Sequence, residues 1–205
     1  MRRHRVPDGL RGRFSAAIVS KNGGETPAPQ TSPAQAADPY EEKLEEYRAG
    51  LCGGWGPEAF EAAGLCCLCG IPEAADGLGY RTEDLDGDGA EELIVGNGKV
   101  IYDLYTMENG APVRVFSGAE RNSYSLCADR TIVNQGTNGA ASSIVGYYAL
   151  EGASLQPVLI LVFDTDTWYR SETSLDPEEG APISDEEAET LMAAREAVDL
   201  NLKSL

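Results

Sequence analysis

From Asp38 to the C-terminus the apolar residues keep two different spacings, helical at first and then alternating. Tyr40, Leu44, Tyr47 and Leu51 fall at i, i+4, i+7 and i+11, which predicts a helix with one inward face. Asp38 stands where a cap belongs, Pro39 suits the first helical position, and Glu41 completes an Asp-x-x-Glu capping box. Gly53-Gly54 ends this helix. A second one is expected from Pro57 towards Cys69, burying Phe60 and Leu65 and stopped by Gly70-Ile71-Pro72.

Beyond Gly79 the period becomes two. Strands are expected at Glu92–Val95, Val100–Met107, Val113–Ser117, Ser123–Cys127, Thr131–Asn134, Ile144–Leu150 and Leu155–Phe163. Asn109-Gly110, Asp129-Arg130 and Glu151-Gly152 read as tight turns, so successive strands should pair antiparallel as a meander. A last helix opens on a Ser184-x-x-Glu187 box, followed by Leu191, Met192, Ala194, Arg195 and Val198. The pattern predicts an α+β domain: an antiparallel β-meander sheet flanked by N-terminal helices and a C-terminal helix.

Before Asp38 no such pattern exists. Residues 1–21 carry five Arg, one Lys and one Asp, whereas 10 basic and 33 acidic residues occupy 22–205. From Asn22 to Ala37 the chain is Gly, Pro, Ser, Thr, Gln and Ala with too few apolar groups to pack, so residues 1–37 read as a disordered basic start and a tether. Residues 38–205 form one domain. The patch Phe14–Val19 is shorter than the ~7 to 15 residues of a signal-peptide core, so no signal is visible. No apolar run reaches the ~18 residues of a membrane-spanning helix, the longest being Val158–Phe163.

Composition narrows the chemistry. A net charge of −18 repels nucleic acid and anionic membranes and attracts cations. The single histidine, His4, lies in the tether region, which removes Ser-His-Asp and Cys-His catalysis and imidazole-based zinc sites from consideration.

Asp84-Leu85-Asp86-Gly87-Asp88-Gly89-Ala90-Glu91-Glu92 carries the one motif with specific chemistry. Three aspartates at alternate positions converge when the loop curls, and Gly89 in sixth place allows the turn that aims the next carbonyl inward. So many hard oxygen donors suit Ca²⁺, and without a cation the crowded carboxylates repel. A helix-loop-helix calcium site expects Glu in twelfth place, where this chain has Val95, and Leu93–Gly96 reads as a strand. The expected ligands are therefore the side chains of Asp84, Asp86, Asp88 and Glu92 with the carbonyl of Ala90.

This segment resembles the calcium loops of FG-GAP and VCBS-type repeats, whose pattern is Asp-x-Asp-x-Asp-Gly-x-x-Asp before an apolar strand. It departs from them in placing Glu92 ninth. Together with Gly79-Tyr80, Ile101–Tyr105, Arg121–Tyr124 and Asn134–Gly139, it is similar to a group of uncharacterised exported or lipid-anchored proteins of anaerobic gut bacteria. That resemblance spans roughly Pro39 to Ala197. It implies a non-catalytic, extracytoplasmic calcium-binding domain on a tether, able to meet a cell-surface protein or glycan.

Four other features have plainer readings. Cys52 and the cluster Cys66-Cys67-Leu68-Cys69 lack a histidine or a second Cys-x-x-Cys to complete a metal site, so they read as helix packing, with a bridge from Cys52 to the cluster left open. Arg121, Asn122 and Tyr124 read as a strand surface, and the Gly-rich stretch 134–143 as a hairpin loop without phosphate-cradle chemistry. Asp164, Asp166, Trp168 and Tyr169 would suit a carbohydrate-active enzyme or binding module, the alternative to a calcium domain, though a strand end with one aromatic anchor is their ordinary reading. A cytoplasmic acidic protein with a vacant loop is the third reading.

Overall fold

The computed structural model describes residues 38–137 and 142–205, so the tether, His4 and positions 138–141 of the Gly-rich stretch lie outside the described residues. Helices α1 (Glu41–Cys52), α2 (Pro57–Ala62) and α3 (Pro72–Ala75) precede an eleven-stranded antiparallel sheet, and α4 (Asp185–Ala193) lies near its C-terminal end. The α+β class is as the residue pattern predicts.

Helix α1, with Tyr40 just before it, buries Tyr40, Leu44 and Tyr47 completely and Leu51 in part, the face the spacing gives. Its capping differs from the expected box. The Asp38 carboxylate accepts from the Tyr40 N–H at 2.9 Å, one residue short of Glu41, and Glu41 turns outward to pair with Arg48. The second helix is half its expected length. Gly64 adopts φ +73°, the Leu65 N–H reaches the Phe60 carbonyl at 2.9 Å and the Gly64 N–H reaches Glu61 at 2.9 Å. This is a Schellman stop sealed by Phe60 and Leu65, both in the core. The chain then makes a separate 3₁₀ turn at Cys67–Gly70.

The strands are β1 (Gly79–Glu83), β2 (Glu92–Asn97), β3 (Val100–Glu108), β4 (Ala111–Ser117), β5 (Asn122–Leu126), β6 (Ile132–Thr137), β7 (Ser142–Glu151), β8 (Ser154–Asp164), β9 (Thr167–Ser171), β10 (Ala181–Ile183) and β11 (Lys203–Ser204). Their order is β10-β9-β8-β7-β6-β5-β3-β2-β1-β11. The meander is interrupted once. Nine residues long, β3 pairs with β5 through Val100 and Ile101 and with β4 through Asp103–Glu108, so β4 branches off the main path. Strands β1, β9, β10 and β11 add to the seven expected, and the final helix stops at Ala193, before Arg195 and Val198. Instead of continuing the helix, the Val198 and Leu200 N–H groups bond the carbonyls of Leu126 and Gly98.

Central strands are covered on both faces. In β2, Leu93 and Val95 join the cluster with Tyr40, Leu44, Tyr47, Phe60, Tyr102 and Tyr105, under the helices. Ile94 faces the opposite way, into a cluster of Ile101, Leu104, Phe116, Leu126, Ile132 and Leu150, to which every strand from β2 to β8 contributes. With Leu93 and Val95 buried on one face and Ile94 on the other, β2 reads as a continuous apolar run rather than an alternating one. Val133, Tyr147, Leu159 and Leu161 form a third cluster, against which Leu191 and Met192 of α4 pack. Among the described residues no helix is long and apolar enough to cross a membrane.

Candidate metal centre

The connection from β1 to β2 is the acidic loop. Asp84, Asp86 and Asp88 each offer a carboxylate oxygen such that the three atoms lie within 4.8 Å of one another. The residues between them curl the loop. Gly87 and Gly89 both sit at positive φ, +81° and +92°, where other residues are strained. The Asp84 carboxylate accepts from the Gly87 N–H at 2.7 Å and the Gly89 N–H at 3.2 Å, while Asp86 and Asp88 accept from N–H groups two residues on, at 3.1 and 2.7 Å. Each acid thus bends the backbone around the centre it shares with the others.

Three contacts tie this loop to the domain. Leu85, the one large apolar residue among the acids, is 5% exposed and inserts into the interior cluster beside Ile94, Leu104 and Leu150. The second Asp86 oxygen accepts at 3.1 Å from the N–H of Gly152, in the turn between β7 and β8. At the far end, the Tyr40 hydroxyl donates to the Glu91 carbonyl at 2.8 Å, joining the start of α1 to the start of β2. None of these is marked by the ligand spacing, although an isolated leucine inside an acidic run is a visible sign of an anchor. Leu85→Ala should lower stability by about 2–5 kcal/mol, the usual effect of emptying a leucine site in a core, as measured by chemical denaturation in the presence of EDTA.

Glu92 takes a distinct place. Its carboxylate is fully buried beneath the loop, one oxygen accepting from the Leu85 N–H at 2.8 Å and the other from the Thr106 hydroxyl at 3.1 Å. Burial pushes its pKa above the usual carboxylate range, with the negative charges of Asp86 and Asp88 adding to the effect, against the two hydrogen bonds. Ala90 is half-buried, and its N–H is the donor held by Asp88. The three aspartates therefore form the convergent cluster, and Glu92 lies just inside it with both oxygens engaged.

The other residues singled out from the sequence have ordinary surroundings. Tyr124 stacks on Phe116 with ring centres 3.9 Å apart, and Asn122 is held by Asn134 at 2.6 Å. Trp168 packs on Phe163 at 5.2 Å, and Asp164 pairs with Thr167 across the turn between β8 and β9. A second buried polar group was not visible in the sequence: Asp103 of β3, fully enclosed, with Tyr47 at 2.5 Å and the Cys66 N–H at 2.7 Å both donating to its Oδ2.

The fold and the loop together define an α+β domain with an acidic cluster, suited to a metal ion, at the head of a central strand. No family model, curated protein or solved structure matches the chain.

Proposed function

We propose that this is a non-catalytic calcium-binding domain working outside the cytoplasm, in which the ion fixes the β1–β2 loop against the rest of the sheet. The convergence of Asp84, Asp86 and Asp88 on one centre is the observation that supports it. Three carboxylates at that separation repel one another, and a divalent cation turns the repulsion into attraction. Oxygen-only donors, with a backbone carbonyl from Ala90 completing the set, favour a hard ion of flexible coordination, which is Ca²⁺ rather than a transition metal. Glu92 supports the site from below: held by the Leu85 N–H and the Thr106 hydroxyl, it keeps the loop closed.

Modules of this type that act where calcium is plentiful bind at about 10⁻⁴ to 10⁻³ M, which is the affinity expected here. Calorimetric titration of the full chain with Ca²⁺ should give one saturable site, lost in Asp86→Ala and out-competed by EDTA. A titration with no saturable heat and no calcium-dependent change in the far- or near-ultraviolet dichroism would end the proposal. Fractionating cells and reading the mature N-terminus tests the extracytoplasmic part separately.

A further inference from the structure

Outside the acidic loop, the 3₁₀ turn after Gly64 brings together two thiols. The Cys69 N–H donates to the Cys66 carbonyl at 3.1 Å, and a turn closed in this way keeps its end Cα atoms within about 7 Å, inside the reach of a disulfide. Both side chains are buried in the cluster beneath α1, 0% and 1% exposed. The Cys66 thiol donates to the Gly118 carbonyl at 3.4 Å, while the neighbouring Cys69 thiol, helped by Ser117 and the Leu68 N–H against burial and the nearby Asp103, pulls the Cys66 pKa down to about 7, and Cys66 together with burial holds Cys69 well above the thiol range. One sulfur thus reaches its thiolate form near neutral pH, and the other stands one 3₁₀ turn along the chain from it. The backbone of Cys66 is fixed from the other side by the Asp103 carboxylate.

Cys69 also lines a cavity of about 220 Å³, walled by Gly50, Trp55, Phe60 and Pro72. At ~30 Å³ per molecule of water, it admits small solutes but no peptide. The remaining thiols lack this arrangement. Cys52 is exposed, Cys67 half-exposed, and Cys127, bonded at 3.2 Å to the Arg195 carbonyl, has no second cysteine near it in the chain.

We propose that Cys66 and Cys69 are a redox pair that hydrogen peroxide, entering by the Cys69 cavity, closes to a disulfide. The Cys66 thiolate attacks one peroxide oxygen: an S–O bond forms, the O–O bond breaks, and hydroxide leaves as the sulfur gives up two electrons. Cys69 then attacks the Cys66 sulfur, forming the S–S bond and breaking S–O. The second hydroxide takes the Cys69 proton, so two thiols and one peroxide yield one disulfide and two waters. The closed pair ties the 3₁₀ turn under α1, and thiol reductants reopen it.

Peptide mapping on the full chain tests this. The reduced protein is treated with equimolar hydrogen peroxide, denatured, alkylated and cleaved after Glu61 and Glu73, which isolates Cys66, Cys67 and Cys69 in one peptide. The expected peptide has lost two hydrogens and carries the alkyl group on Cys67 alone, and dithiothreitol restores full alkylation. In Cys69→Ser the expected product is a sulfenic acid on Cys66, trapped by dimedone. The proposal falls if Cys66 and Cys69 are both alkylated after treatment, or if the bridge joins Cys67 or Cys52. Both of those outcomes are read on the unsubstituted chain, so they decide the matter even where the variant fails to fold.

Discussion

Saturating the acidic loop with Ca²⁺ should raise the melting temperature by about 5–11 °C, a shift that Asp86→Ala abolishes and EDTA reverses. The size follows from linkage. A ligand that binds only the folded chain adds RT ln(1 + [L]/Kd), about 2.7 kcal/mol at a hundredfold excess, and in a chain of this length 1 kcal/mol moves the midpoint by about 2–4 °C. Asp86 is the residue to change because it does two things: its carboxylate joins the convergent trio, and its Oδ2 holds the Gly152 N–H. Its loss removes a ligand and unties the loop from the β7–β8 turn. Asp86→Asn separates the two, since the amide oxygen still accepts from Gly152 while the charge is gone. It should keep most of the EDTA-state stability and lose most of the calcium response. A melting temperature indifferent to calcium, in the unsubstituted chain, would leave the trio as a solvated turn.

Much of this arrangement can be read from the residues, and the parts that cannot have identifiable causes. The helix at Glu41–Cys52 and seven of the strands follow from spacing, because each has a face that packs against the core. The second helix reads too long because Ala62, Ala63, Leu65 and Cys66 continue an apolar helical run. Gly64 alone, by taking the left-handed conformation, ends it. Strand β9 is concealed for the opposite reason: its turn is Thr165-Asp166, both at positive φ without a glycine to signal it. The branch of β4 is a tertiary choice. Neighbouring strands are expected to pair, and only the length of β3 lets it serve two partners along one edge.

The candidate site shows the same division. Alternating aspartates and Gly89 announce the convergence of Asp84, Asp86 and Asp88, since both follow from local backbone geometry. The burial of Glu92 under Leu85 and Thr106 depends on β3 lying beside β2, and no local pattern encodes it. The Cys66–Cys69 pair is obscured by the same overlong helix. Within a continuous helix the two sulfurs would be one turn apart among packing residues, whereas the Schellman stop makes Cys66 the first residue of a new turn.

The buried carboxylate beside that pair gives the second large effect. Asp103→Ala strips the acceptor from the enclosed Cys66 N–H, at about 1–3 kcal/mol for a buried donor left bare, and leaves the Tyr47 hydroxyl with only the Tyr105 hydroxyl, 3.0 Å away. Asp103→Asn keeps an acceptor and removes only the charge, which makes the pH dependence the cleaner measurement. Burial raises the Asp103 pKa above the usual carboxylate range, opposed by bonds from Tyr47, Ser117 and the Cys66 N–H and by Arg114, 3.9 Å away. The folded chain therefore keeps this proton to higher pH than the unfolded chain, which releases it near the ordinary value of 3.8. Across the interval between the two values the folded state binds more protons, so the contribution of Asp103 to stability is complete below it and declines as pH rises through it. Asn does not titrate. The stability lost on Asp103→Asn should therefore be greatest in acid, shrink as pH rises from about 4 through the raised folded value, and stay constant above it, as read by denaturant unfolding at a series of pH values. A loss that instead grows with pH would mean that the charged form is the one the fold prefers, held by Arg114 and the donors around it.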